Sequence, residues 1–553
     1  FKQMDTLFYF SLLNINNTDG LFIPRIINTF AALIKKAMKF DIKKHIYLIL
    51  LFILSFTVET AQSQEVTNIH IAATDTVPTY TSDSAVINFL KDAGIPITQN
   101  SKLKLLKSGR AKFIDLFEEI RHAKHHIHLE YFNFRNDSIA NALFDLLGEK
   151  VKEGVEVRAL FDAFGNLSNN KPLKKKHIQA IRDKGIEIVK FDPFKFPYIN
   201  HALHRDHRKI VVIDGKIGYT GGMNIANYYI KGLPEIGDWR DMHIRIEGNA
   251  VNELQDIFLT MWNKSTKQHV SGSQYYPLRN DSTFKGNKNV AIVDRIPKKE
   301  PRLMRQTYIK SIDAAQDKIQ IVNPYFTPIP SIKKAIKRAL KRGVEVEIMI
   351  PGKSDIPFTP DAAFYTANKL RKKGAKIYVY NGGFHHSKIM MVDSLFCTVG
   401  STNLNSRSLR YDYEVNAFIF DKETTHELST MFEHDKLDST LFTKEEYKKR
   451  SGWKRFVGWF ANLFSPFHKP LPLPQTKVYK LFHLLQGRDL SHLQLILHAV
   501  KFDRSSSKRT MPVIMRNVTP PSRTVSLTSM ENHGLTAGKC FSLRMFHFII
   551  EQR

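Results

Sequence analysis

The stretch HRKIVVIDGKIGYTGGMN (207–224) returns later in the chain as HSKIMMVDSLFCTVGSTN (386–403). Both read His-x-Lys, four residues, Asp, then a small pair and, one residue on, Asn. The first copy supplies His207, Lys209, Asp214, Gly221, Gly222 and Asn224, and the second His386, Lys388, Asp393, Gly400, Ser401 and Asn403. Side chains at i and i+2 of a strand share a face, so each His–Lys pair points one way. The apolar runs between Lys and Asp (IVVI, 210–213) suit strands buried on both faces. The small residues before each Asn let backbone approach a ligand closely.

Working outward, the motifs close two copies of one longer pattern. VEVRALFDA (155–163) and GIEIVKF (185–191) recur as VEVEIMIPG (344–352) and GAKIYVY (374–380) at one constant offset. Strands HIHLEYF (126–132) and KIQIVNPYF (318–326) precede them, and helical patterns at 111–122, 137–153, 173–184, 301–314, 331–342 and 361–373 alternate with the strands. The expected fold is α/β: two pseudo-symmetric repeats, each a mixed sheet flanked by helices, with the active site at their interface.

If the copies face each other, two imidazoles share one cleft. One neutral His attacks phosphorus and the other, protonated, gives its proton to the departing alcohol. Lys209, Lys388, Asn224, Asn403 and Ser401 are the candidate phosphate-oxygen donors. Free imidazole titrates near about 6.5, so one neutral and one charged ring are expected near neutral pH. This chemistry calls for no metal or other cofactor, and no CxxC or HExxH spacing is present.

The duplicated motif resembles the HKD motifs of the phospholipase D superfamily. HLEYF (128–132), WRDMHIRIEG (239–248), NPYFTP (323–328) and NLNSRSL (403–409) look like bacterial cardiolipin synthases in particular, over roughly 100–440. The resemblance implies phosphatidyl transfer between phosphatidylglycerol molecules through a phosphohistidine; either His207 or His386 can be the nucleophile, and analogy with the family favours His207. It implies Asp241 and Glu414 as the carboxylates that orient the histidines. It gives Asp214 and Asp393 a supporting place in the catalytic motifs. Hydrolysis of phospholipid, or of nucleic acid by an exported nuclease, uses the same two histidines. A non-catalytic binding protein would not need both motifs complete.

The chain has 553 residues and a net charge of +29, which predicts anionic partners. An anionic phospholipid at a membrane surface is the first choice, and nucleic acid the second. KPLKKKH (171–177) and the face Lys333, Lys334, Lys337, Arg338, Lys341 are basic enough for either. Two cysteines, Cys397 and Cys540, exclude a disulfide framework. Met38, the basic Lys39, Lys43 and Lys44, and the apolar run IYLILLFILSF (46–56) have the layout of a signal peptide or membrane anchor (38–63), so export or anchoring at the cytoplasmic membrane is expected. Residues 1–37 then fall outside the natural product and 64–100 form a leader. The two domains span 101–275 and 276–450. WKRFVGWFANLFSPF (453–467) reads as an amphipathic aromatic helix (451–468), suited to a membrane interface or to packing on the core. FDPFKFPYI (191–199) would border a lipid-entry cleft. The Pro-rich opening and weak periodicity of 469–553 read as a disordered or artefactual tail.

Overall fold

A computed structural model describes residues 81–193, 204–277, 285–297, 299–300, 302–356 and 359–464. The expectations for 1–63, for the tail, and for most of 191–199 fall outside these residues. The first repeat contributes strands β1 (Thr98–Leu106), β2 (His126–Tyr131), β3 (Glu156–Asp162), β4 (Glu187–Phe191), β5 (Lys209–Ile213), β6 (Ile217–Gly221), β7 (Trp239–Arg240) and β8 (His243–Glu247). The second contributes β9 (Lys288–Arg295), β10 (Lys318–Val322), β11 (Glu345–Pro351), β12 (Lys376–Tyr380), β13 (Phe384–His385), β14 (Ile389–Val392), β15 (Phe396–Gly400), β16 (Glu414–Phe420) and β17 (Ser439–Leu441).

In both halves the first three long strands of the βαβ series run parallel, and the motif strand pairs antiparallel to the first of them. Ile127 of β2 lies opposite Ile213 of β5, and Ile319 of β10 opposite Val392 of β14. The expected elements are present within a few residues. The two sheets are not separate, however. β9 pairs with β1, so one hydrogen-bonded order runs β17-β12-β11-β10-β14-β15-β16-β9-β1-β8-β6-β5-β2-β3-β4. The halves pack through β6 and β8 against β15 and β16.

The period of two in the motif strands accounts for the layers. Val211 and Ile213 enter the core under the helices of the first repeat, and Met390 and Val392 the core of the second. Their alternating neighbours Ile210, Val212, Ile389 and Met391 all enter one central core shared by both repeats. Each such side chain contributes about 1.5–3 kcal/mol on burial, so the repeats are joined by a hydrophobic layer.

The motif aspartates sit at the far end of these strands. Asp214 and Gly215 have φ of 52° and 63°, and Asp393 and Ser394 of 51° and 57°, which makes the tight hairpin that leads into β6 and β15. The Asp214 carboxylate accepts the N–H groups of Lys124, His125 and His126 at 2.8, 2.8 and 3.0 Å. Asp393 accepts those of Gln316, Asp317 and Lys318 at 2.8, 2.8 and 2.9 Å. Each therefore ties the hairpin to the start of β2 or β10.

Cys397 is fully buried, and burial pushes its thiol up to about 12, so it is an inert core residue. Among the described residues no helix is long and apolar enough to cross a membrane.

Candidate active site

The two histidines stand just before β5 and β14, not within them, because their backbone is committed to the other repeat. The His207 N–H donates to the Tyr413 carbonyl at 3.0 Å, and the Tyr413 N–H donates to the Arg205 carbonyl at 2.9 Å. In the second half the His386 N–H donates to the Arg240 carbonyl at 2.6 Å, and β13 pairs in parallel with β7. These two short bridges are pseudo-symmetric equivalents. They set Glu414 beside His207 and Asp241 beside His386.

The side chains follow. His207 Nδ1 is 3.1 Å from both carboxylate oxygens of Glu414, and His386 Nδ1 is 2.7 Å from Asp241 Oδ2. Each imidazole is thus oriented by a carboxylate of the opposite repeat. An ionised carboxylate at this distance favours the proton on Nδ1, which leaves Nε2 with its lone pair. The rings keep exposed edges, 14% of the His207 side chain and 7% of His386.

The lysines fold back onto their own histidines. Lys209 Nζ donates to the His207 carbonyl at 2.5 Å, and Lys388 Nζ donates to the His386 carbonyl. Lys388 Nζ also lies 2.8 Å from His386 Nδ1. The half-sites form one electrostatic unit, since the charge of Lys388 acts on His207 and that of Lys209 on His386.

Burial governs the titration. It pushes His386 down to about 3, with Lys388 adding to the effect and Asp241 opposing it. It holds His207 well below the usual imidazole range, again reinforced by Lys209. Both shifts favour the neutral ring. The expectation of one charged ring is not met in this geometry, because burial withholds water from a charged imidazole and the neighbouring lysines add to the effect. Burial lowers Lys388 to about 7 and Lys209 to about 8, against the pull of Asp241 on the first and Glu414 on the second. It raises Glu414 to about 7, with Lys209 opposing. For Asp241 burial is outweighed by Lys388 and His386, and the carboxyl stays below its ordinary value.

Asn224 and Asn403 follow β6 and β15 and are 5% and 4% exposed. The Oδ1 atom of each has no hydrogen-bond partner. A buried amide oxygen left unpaired costs free energy, so each position has unused acceptor capacity, while a phosphoryl oxygen would have to take the amide N–H groups. Ser401 differs from its expected role. Its hydroxyl donates to Glu414 Oε2 at 2.5 Å and accepts the Val415 N–H at 3.0 Å. It braces the orienting carboxylate and has no proton to offer phosphate. The first half has no room for this device, since a Cβ at Gly222 would meet Asp241 Oδ1 at 2.2 Å.

Several site residues escaped the sequence reading. Phe132 stands edge-on to His207 at 5.0 Å, while Tyr325 and Trp239 wall His386 at 5.8 and 5.6 Å. Arg208, between the first His and Lys, is clamped by Asp294 through Nε and Nη2 at 2.7 Å each. Lys112 is wholly buried in the helix Gly109–His122, and its Nζ donates to the carbonyls of Met223 and Asn224 at 3.2 Å. It shares a helix face with Leu116, so an ionisable group at a core position was the available signal.

With this geometry in view, comparison with known proteins is informative. The family model described as "Cardiolipin synthase, PLD-like domain" matches residues 116–262 and 308–436. A cardiolipin synthase of Staphylococcus aureus strain Mu50 is 39% identical over 373 residues, which are 67% of this chain and 74% of that protein. One from Listeria monocytogenes serotype 4a strain HCC23 is 38% identical over 382 residues, 68% and 77% of the two chains. The crystal structure of a phosphatidylserine synthase from Haemophilus influenzae Rd KW20 matches with a TM-score of 0.54 at 15% identity, covering 70% of this chain and all of that one, which shows a common fold. Duplicated motifs, crossed imidazole–carboxylate pairs and these relatives agree: the chain belongs to the cardiolipin synthase family, a branch of the phospholipase D superfamily.

Proposed function

We propose that this protein transfers a phosphatidyl group from one phosphatidylglycerol to another, making cardiolipin and glycerol through a phosphohistidine. The observation that carries the proposal is the crossed pairing of His207 with Glu414 and His386 with Asp241. The relatives named cardiolipin synthase supply the substrate class.

His207 is the better nucleophile of the two. Its carboxylate is held near half-protonation, so it favours an uncharged ring, and its edge is the more exposed. His386 faces an ionised carboxylate at 2.7 Å, which favours an imidazolium and suits it to carry the proton. The substrate's phosphate charge near Lys209 and Lys388 offsets their opposition, so His386 takes up a proton from solvent on Nε2 as the substrate binds. Nε2 of His207 forms the bond to phosphorus, the bond from phosphorus to the glycerol oxygen breaks, and that oxygen takes the proton of His386. A hydroxyl of the second phosphatidylglycerol then gives its proton to His386 and attacks phosphorus, freeing His207. Lys209, Lys388, Asn224 and Asn403 would hold the phosphoryl oxygens. Asp214 and Asp393 act only by holding the motif hairpins.

The substrate places the reaction at an anionic membrane surface. The basic and apolar layout of 38–63 supports export or anchoring there. Mass spectrometry of the products from phosphatidylglycerol tests the reading: cardiolipin with equimolar glycerol is expected. Phosphatidic acid as the main product would make the enzyme a hydrolase. An acid-labile phosphoryl group should be trapped on the peptide carrying His207 and be absent from His207→Ala.

A further inference from the structure

The helix Gly452–Phe464 follows the second repeat and takes no part in the cleft chemistry. One side of it is locked to the domain. Gly458 lies so close to the helix Thr359–Arg371 that an added Cβ would meet the Asp361 carbonyl at 2.3 Å. The Asn462 amide donates to the Ala362 carbonyl at 2.9 Å and to Thr366 Oγ1 at 2.8 Å. Arg450, just before the helix, pairs with Asp361 and lies 3.9 Å from the Phe364 ring.

The other side carries large aromatics into solvent. Trp453, Phe456 and Trp459 are 51%, 40% and 41% exposed, although tertiary packing has already fixed the helix. Their rings form a file, 5.7 Å between the first and second and 5.7 Å between the second and third. Contiguous exposed aromatics of this size mark an interaction surface. The surroundings are cationic. Residues 444–455 hold Lys444, Lys448, Lys449, Arg450, Lys454 and Arg455 against Glu445 and Glu446. At the foot of the helix a cavity of about 480 Å³ has a mixed lining, in which Lys449, Arg450 and Lys454 stand beside Glu446 and the apolar Phe364 and Phe442.

We infer that this aromatic file, with Lys454 and Arg455 beside it, docks the enzyme onto the surface of an anionic phospholipid bilayer. Indole and phenyl rings at headgroup level, cations beside them, and a helix too short to span are the physical marks of interfacial binding. Clustered cations add attraction to anionic lipid, worth about fivefold in affinity for each well-placed charge. The inference rests on the phospholipid substrate proposed above and locates where the membrane is met.

The test is co-sedimentation of the full chain, in a His386→Ala background that prevents turnover, with vesicles of equal parts phosphatidylcholine and phosphatidylglycerol. W453A/F456A/W459A and K454E/R455E should each weaken vesicle binding about tenfold or more. With His386 restored, both should keep their activity on monomeric short-chain phosphatidylglycerol, which shows that they fold. Vesicle binding equal to the parent's in either variant would overturn the inference. A stripe variant that changes oligomeric state without lipid, or loses thermal stability with binding intact, would assign the rings to a contact between copies or within the chain. Failure of the parent to make cardiolipin while still binding vesicles would sink only the catalytic reading.

Discussion

His386 Nδ1 lies 2.7 Å from Oδ2 of Asp241, a carboxylate in the other repeat and 145 positions earlier in the chain. The pseudo-symmetric pair, His207 and Glu414, is separated by 207 positions. Neither repeat holds its own histidine in a reactive orientation.

Replacing these carboxylates by amides should have unequal effects. Asp241→Asn removes an ionised partner and permits the wrong tautomer, so turnover should fall by about 10²–10⁴ with the fold intact. Glu414→Gln imitates a group already held near half-protonation at about 7, and should cost on the order of tenfold. As pH rises through 7, Glu414 ionises and orients Nδ1–H of His207 more firmly, so the wild-type rate should rise there. Steady-state rates between pH 6 and 8 should show that rise in the parent and not in Glu414→Gln.

Stability should depend on pH through His386. Its folded value of about 3 lies below the unfolded value of about 6.5. Between the two the unfolded chain binds more protons, so stability is full above about 6.5 and lost as pH falls toward 3. Urea midpoints at pH 7 and pH 5 should differ in the wild type, and the difference should shrink without vanishing in His386→Gln, since burial also lowers His207, His128 and His243. An unchanged difference would place the pH dependence elsewhere.

Asp214→Asn and Asp393→Asn should damage the fold more than the chemistry. Each carboxylate accepts three backbone N–H groups at a hairpin with positive φ. Loss of the charge-assisted bonds should cost about 1.5–3 kcal/mol in urea unfolding. KM for phosphatidylglycerol should stay within about twofold, since the turns lie at the opposite end of β5 and β14 from the histidines.

Asn224→Leu and Asn403→Leu should do the reverse. Each removes an amide whose buried oxygen has no partner in the free protein, so stability should change by less than about 1 kcal/mol. If these amides hold phosphoryl oxygens, kcat/KM should fall about 10²-fold. Full activity with unchanged stability would remove them from the site.

Much of this molecule is written locally. The period of two in IVVI (210–213) and IMMV (389–392) determined strands buried on both faces, and the constant offset determined the duplication. The spacing of His, Lys and Asn put the motif residues together, since neighbours on a strand and its hairpin stay close whatever the rest of the chain does. What tertiary packing decided is every contact made beyond the motif's own strand and hairpin. It crossed each histidine to the far carboxylate and turned Ser401 toward Glu414. It buried Lys112 under the Asn224 turn and favoured the neutral form of both rings by desolvation. Apart from the Ser401–Glu414 contact, 13 positions long, these outcomes depend on contacts between residues one to two hundred positions apart, and no periodicity of the chain records which partner a buried side chain will meet.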